Sequence, residues 1–215
     1  MWAKVSRKNS VLREILYRVL ERDEWYMTQK SLAQACGVSL DTAHKVVKTL
    51  VGFKAVEKKP LGFRVINFFK ILQYWACVRD LYRDVVYTTY APETVSKIES
   101  GMPEGVIFTG FSGYAKKFSK SLDYTEVHVY GDPALVQERF KKKHVTRPNI
   151  IVIRPDSHLR SVSSGAVVPT GQLYADLWQI GTPKAERLLV EFEEKLKEEP
   201  LEKFRAIIEK WRVRG

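Results

Sequence analysis

Cysteine, methionine and asparagine are scarce in this chain: 2, 3 and 3 of 215 residues. Cys36 and Cys77 lack the CxxC spacing of a zinc site and are too few for a disulfide framework. Both fall in apolar helical patterns, which predicts buried free thiols in a reducing compartment. No apolar run approaches the ~20 residues of a bilayer span. The opening "MWAKVSRKNS" is polar and leads into an amphipathic pattern, unlike a secretory signal. A cytoplasmic protein without a membrane partner is therefore expected. Internal repeats and low-complexity tracts are also missing. No metal-ligand spacing stands out, so no cofactor is expected. Few Cys, Met and Asn beside many Lys and Glu is a composition found in heat-adapted proteins.

What is present is a core and an excess of positive charge. Hydrophobic residues make up 45% of the chain and aromatics 12%, enough to build a packed interior. The net charge is +11, and it is unevenly spread. Residues 1–90 hold 16 Lys/Arg against 8 Asp/Glu (+8), and residues 91–215 hold 20 against 17 (+3). A basic segment of this kind attracts polyanions, nucleic acid first among them.

Apolar periodicity predicts a helix over residues 10–22, capped by Ser10. A second helix is expected from Thr28 to Cys36, ended by Gly37 in a left-handed turn. Ser39 caps a third helix that runs to Val51, with Asp41 in its first turn. Val56 starts a strand, Pro60–Gly62 turns it, and residues 63–66 return. Residues 67–84 read as one long amphipathic helix with Trp75 on its apolar side and Arg79 and Arg83 on the other. Thereafter short strands (105–110, 126–130, 149–155, 166–170) alternate with helices (111–119, 133–141, 170–180, 183–197, 200–213). The expected fold class is α+β. A winged helix-turn-helix occupies residues 1–66 and a linker helix residues 67–90. A C-terminal α/β domain, with a mixed sheet and C-terminal helices, occupies 91–215 and serves regulation or dimerisation.

"LAQACGVSLDTAHKVVKTL" (32–50) resembles the winged helix-turn-helix superfamily: a small residue before Gly-Val-Ser, a threonine three residues on, and a closing leucine. The second helix of such a pair lies in the DNA major groove. Val38, Ala43, Val46, Val47 and Leu50 supply its inner face. Ser39, Asp41, Thr42, His44, Lys45 and Lys48 face outward, small groups first for base edges and lysines later for phosphates. Lys58, Lys59 and Arg64 on the hairpin suit a flanking groove. Thr28, Gln29 and Lys30 open the preceding helix, where free N–H groups can hold a phosphate. These twelve residues form the candidate surface for double-stranded DNA. The competing reading of the motif is a winged helix used for protein contact.

Two patterns mark the second half. "FTGFSGYAKKF" followed by "EVHVY" is similar to the strand–turn–helix and acid-bearing strand of polymerase-β-type nucleotidyltransferases, with Gly110 and Ser112 in the turn. Glu126 stands for the first acid, but His128 occupies the second, and neutral imidazole is a poor Mg²⁺ ligand. The plain alternative is an alternating strand with Val127 and Val129 inward and His128 outward. "VVPTGQLYADLWQIGTPKAERLLVEFEEKL", together with "TGFSGYAKKF", resembles the AbiEi antitoxin and transcriptional-regulator family of abortive-infection systems. That resemblance implies a non-enzymatic DNA-binding repressor of its own operon, in some systems partnered with a toxin. Asp176 is the lone charge of an apolar helix and invites a basic partner. Arg154, Asp156, His158 and Arg160 follow a strand end, where α/β domains place ligands, or form a solvated loop. The stripe Leu201, Phe204, Ile207, Ile208 and Trp211 must bury itself on its own domain or on the second subunit of a homodimer.

Overall fold

A computed structural model describes residues 7–141 and 147–212, with side chains to residue 198. The protein is α+β. Helix α1 (Arg7–Arg22) starts earlier than Ser10, whose hydroxyl instead donates to the Arg7 carbonyl from inside the helix. A two-residue strand, β1 (Tyr26–Met27), leads into α2 (Gln29–Cys36) and α3 (Leu40–Gly52). Thr28 and Ser39 cap these two helices, accepting from Ser31 and Thr42 N–H respectively. Strands β2 (Val56–Lys59) and β3 (Gly62–Val65) form the hairpin. β3 lies between β1 and β2 in an antiparallel three-stranded sheet.

Helix α4 (Phe68–Val78) is shorter than its sequence pattern suggests. Arg79 adopts extended backbone and turns its side chain into the core, where it is buried rather than on a solvated helix face. Trp75, on the apolar side of the helix, is fully buried, while Tyr82 is exposed. After a short 3-10 turn at Tyr82–Asp84, the chain forms strand β4 (Val85–Thr89), in a segment expected to be linker helix. β-Branched and aromatic residues in "VVYTT" favour that strand.

The remaining elements are α5 (Val95–Ser100), β5 (Ile107–Thr109), α6 (Gly110–Lys117), β6 (Val127–Tyr130), α7 (Pro133–Arg139), β7 (Ile150–Ile153), α8 (Ser157–Val162), α9 (Thr170–Ile180) and α10 (Pro183–Arg212). The second sheet has the order β4-β7-β6-β5 and is mixed: β6 and β7 run parallel, the outer pairs antiparallel. Residues 166–170 do not form a strand; Val167 makes only isolated bridges to Phe108 and Ser164. The helices expected at 183–197 and 200–213 are one helix, α10. The stripe from Leu201 to Trp211 lies on side chains outside those described.

Both faces of this sheet are covered. Val127, Val129, Ile150 and Val152 join one apolar cluster with Ile98 and Val136 from α5 and α7. Tyr130, Ile151 and Ile153 join the other, which extends through α9, α10 and α4 to Val11–Val19 of α1 and to the α2–α3 core. Hence His128, expected to face outward, is 1% exposed. Cys36 is buried as expected, but Cys77 is exposed. Gly171 sets the α1–α9 approach, since a Cβ there would lie 2.8 Å from the Leu16 Cβ.

Polar side chains bridge the same elements. Asp176 on α9 is fully buried and accepts four hydrogen bonds. Arg79 Nε (2.7 Å) and Gln172 Nε2 (2.8 Å) donate to one carboxylate oxygen, and Thr109 (2.8 Å) and Tyr130 (2.7 Å) hydroxyls to the other. Arg13 of α1 donates to Gln172 (2.7 Å) and forms a two-pronged pair with Asp156 (2.7 and 2.9 Å). His158 sits 3.1 Å from Arg13 and 2.7 Å from Glu14. Arginine only donates, so the histidine Nδ1 accepts from Arg13 and Nε2–H donates to Glu14. Asp156 and His158 are thus spent on holding α1, not left as a ligand loop. Burial would raise the Glu14 carboxyl, but hydrogen bonds from His158 and Arg18 outweigh it and hold it below the usual range. No helix among the described residues is long and apolar enough to cross a membrane.

Two outcomes follow from this core. Asp176→Ala removes the nearer counter-charge of buried Arg79, leaving only Asp84 at 3.4 Å, and strips three further donors of their acceptor; urea denaturation should show a loss of about 3–5 kcal/mol. A loss under about 1 kcal/mol would contradict the buried network. Burial lowers the His128 pKa from 6.5 to about 4. Below pH 6.5 the unfolded chain gains a proton there that the folded chain refuses. Stability should therefore fall by up to about 1.4 kcal/mol per pH unit as pH drops from 6.5 towards 4. His128→Leu should flatten that slope in denaturation curves taken at successive pH values; an unchanged slope would assign it elsewhere.

Candidate nucleic-acid interface

Gly37 makes the turn between α2 and α3. Its φ of 60° places it in the left-handed region, and its N–H closes onto the Ala33 and Gln34 carbonyls. Ala43, Val46, Val47 and Leu50 then direct one side of α3 into the core, as the apolar spacing requires, with half-buried Val38 packed against it. The other side of α3 is left in water. Ser39, Asp41, His44, Lys45 and Lys48 are exposed, and Thr42 is half-buried with its hydroxyl 2.9 Å from that of Ser39.

The twelve sequence-derived residues fall into three groups. Thr28, Gln29, Lys30, His44, Lys58 and Lys59 line one groove of about 400 Å³ between the start of α2, α3 and the β2–β3 turn. Within it the His44 Nδ1 lies 3.2 Å from the Gln29 side-chain oxygen, so that nitrogen carries the proton. Ser39, Asp41 and Thr42 form the exposed start of α3, with Lys45 and Lys48 further along, on the flank turned away from the hairpin. Arg64 lies apart, on the outer face of the three-stranded sheet beside Trp25 and Ile66.

The charges on this surface are only loosely held. Lys45 pairs with Asp41 at 2.7 Å, but the two side chains are 64% and 67% exposed. Lys59 pairs with Glu57 at 3.0 Å in a similarly open position. Exposed pairs of this kind are worth about 0–1 kcal/mol and are screened by salt. Either lysine can therefore exchange its carboxylate for a phosphate at little cost. Sequence reasoning missed Leu61, 83% exposed at the tip of the hairpin, and Tyr26, 50% exposed, whose hydroxyl overlies Gly62. The signal for Leu61 was an apolar residue inside a Pro-Leu-Gly turn; a two-residue strand such as β1 carries none.

The nucleotidyltransferase-like residues occupy different surroundings. Ser112 and His128 are fully buried, while Glu126 is half-exposed ahead of β6. Among the described residues no three His, Cys, Asp or Glu side chains gather as a metal-binding group.

A Cβ at Gly37 would meet nothing within 4 Å, so the cost of Gly37→Ala is conformational alone. It should destabilise the chain by about 1 kcal/mol in urea denaturation followed by circular dichroism. No change at all would mean that the turn tolerates another geometry. Compared with protein-family models, curated proteins and solved structures, the chain finds no match.

Proposed function

We propose that this protein is a double-stranded-DNA-binding transcriptional regulator, a repressor that resembles the AbiEi antitoxin type. In this reading α2, the Gly37 turn and α3 are the helix-turn-helix, α3 enters the major groove, and the β2–β3 hairpin is the wing. The observation that supports it most is the groove shared by α3, the start of α2 and the hairpin, with Lys30, Lys58, Lys59 and His44 on its walls. Basic groups placed on two sides of an exposed helix suit the phosphates that flank a major groove, while polar groups at the helix start suit base edges. The excess of +8 within residues 1–90 supplies the long-range attraction. Homodimerisation belongs to the same proposal: two heads would meet successive major grooves about 34 Å apart.

Lys45→Ala combined with Lys48→Ala should weaken binding to a duplex from the protein's own upstream region. The slope of log affinity against log salt should shrink by about one for each phosphate that the variant no longer neutralises. Fluorescence anisotropy over a salt series reads both quantities. Equal affinity and equal slope in the double variant would sink the assignment of α3 as the DNA-reading helix.

A further inference from the structure

A cleft of about 580 Å³ lies on the opposite flank of α3 from the hairpin groove, walled by the N-terminal part of α1, the C-terminal part of α4 and the turn after it. That volume falls within the range of small-molecule sites. Its floor is apolar: Leu12 and Val46 are almost fully buried there. The half-buried Tyr74 ring, already packed on Phe53 at 5.2 Å, forms an aromatic wall. Over this floor stand four cations from three elements: Lys8, Lys45, Lys48 and Arg83.

Of the two acids of the cleft, Asp84 pairs with buried Arg79 at 3.4 Å, while exposed Asp80 accepts from the Arg83 backbone N–H at 3.0 Å and keeps its charge, leaving four cations against one unpaired acid. Asn9 is 8% exposed, and its side-chain oxygen accepts from Trp75 at 3.2 Å, which leaves the amide N–H₂ to donate to a guest. An apolar floor with an aromatic wall, a ring of cations and one fixed amide donor selects a flat organic body that carries concentrated negative charge.

We propose that this cleft binds an organic anion of the mononucleotide class, with its ring on Leu12, Val46 and Tyr74 and its phosphate held by Lys8, Lys48 and Arg83. Lys45 and Lys48 belong both to this cleft and to the exposed side of α3. A bound anion therefore neutralises lysines that DNA phosphates would use, and it acts as an effector that releases DNA. The effector role rests on the DNA-binding reading; the binding site itself does not.

Isothermal titration of the protein with AMP and with inorganic phosphate, without DNA, tests the site alone. AMP should bind saturably and at least about tenfold tighter than phosphate. Lys8→Ala with Arg83→Ala should weaken AMP by about tenfold or more. Undetectable AMP binding, equal AMP and phosphate affinities, or an unchanged double variant would each overturn the site. Anisotropy with a bound duplex then tests the effector role: AMP should release DNA from the natural protein but not from the Lys8/Arg83 variant. If AMP binds and DNA stays bound, the effector role is overturned while the site stands. If the Lys8/Arg83 variant loses DNA affinity as strongly as the Lys45/Lys48 variant, the cleft is part of the DNA track and the proposal fails. A protein that binds AMP but no DNA at all overturns the repressor reading and leaves the site intact.

Discussion

The Asp176 carboxylate holds the end of α4, two strands of the mixed sheet and α9 in one arrangement. It is fully buried and takes hydrogen bonds from a strand residue on β5, one on β6, its own helix, and Arg79 at the end of α4. A buried charge without such partners would cost several kcal/mol, so every element that supplies a donor is held in place. The chain of bonds continues outward. Gln172 receives Arg13, Arg13 holds Asp156 and His158, His158 meets Glu14, Glu14 pairs with Arg18, and Arg18 reaches Ser31 on α2. The mixed sheet is thereby connected through polar contacts to the helix that precedes α3. Glu21 adds a second tie, accepting from the Thr170 N–H and hydroxyl at the start of α9. A carboxylate at a helix N-terminus is well placed against the helix dipole.

This network explains which parts of the fold could be read from the sequence. The helices α2 and α3, their caps Thr28 and Ser39, the Gly37 turn and the hairpin all have local causes, and local causes leave local signatures. Asp176 drew notice because a charge in an apolar helix needs a partner, but nothing in the sequence pointed to Arg79, 97 residues away. Because Arg79 and Arg83 follow α4 at helical spacing, they extended the pattern past the true helix end and hid β4. His128 looked solvated since period-2 alternation assumes one wet face. Here α6 and α9 cover that face, and their packing is a tertiary fact. Asp156 and His158 read as either a solvated loop or a ligand site for the same reason: their partners are on α1.

The candidate interface follows the opposite rule. Its charged groups are exposed and weakly paired, and the groove that gathers them is shallow and open. The residue types and the exposed side of α3 were legible, because an amphipathic helix declares its wet side. The division between a hairpin flank and an α1–α4 flank was not, since it depends on where α4 and the hairpin dock. Rigidity in the core and loosely held charge at the surface are compatible with one task. A fixed scaffold presents α3 at a constant angle, while lysines that lose little on leaving Asp41 or Glu57 can be satisfied by phosphates.

Fluorescence anisotropy of the full chain against a set of genomic duplexes, including its own upstream region, at rising salt tests the repressor reading most directly. A sequence-reading repressor should bind one fragment steeply in salt, still hold it near physiological ionic strength, and prefer it by at least about 10³-fold over the rest. Weak binding that is equal for every fragment and gone by physiological salt would contradict that reading.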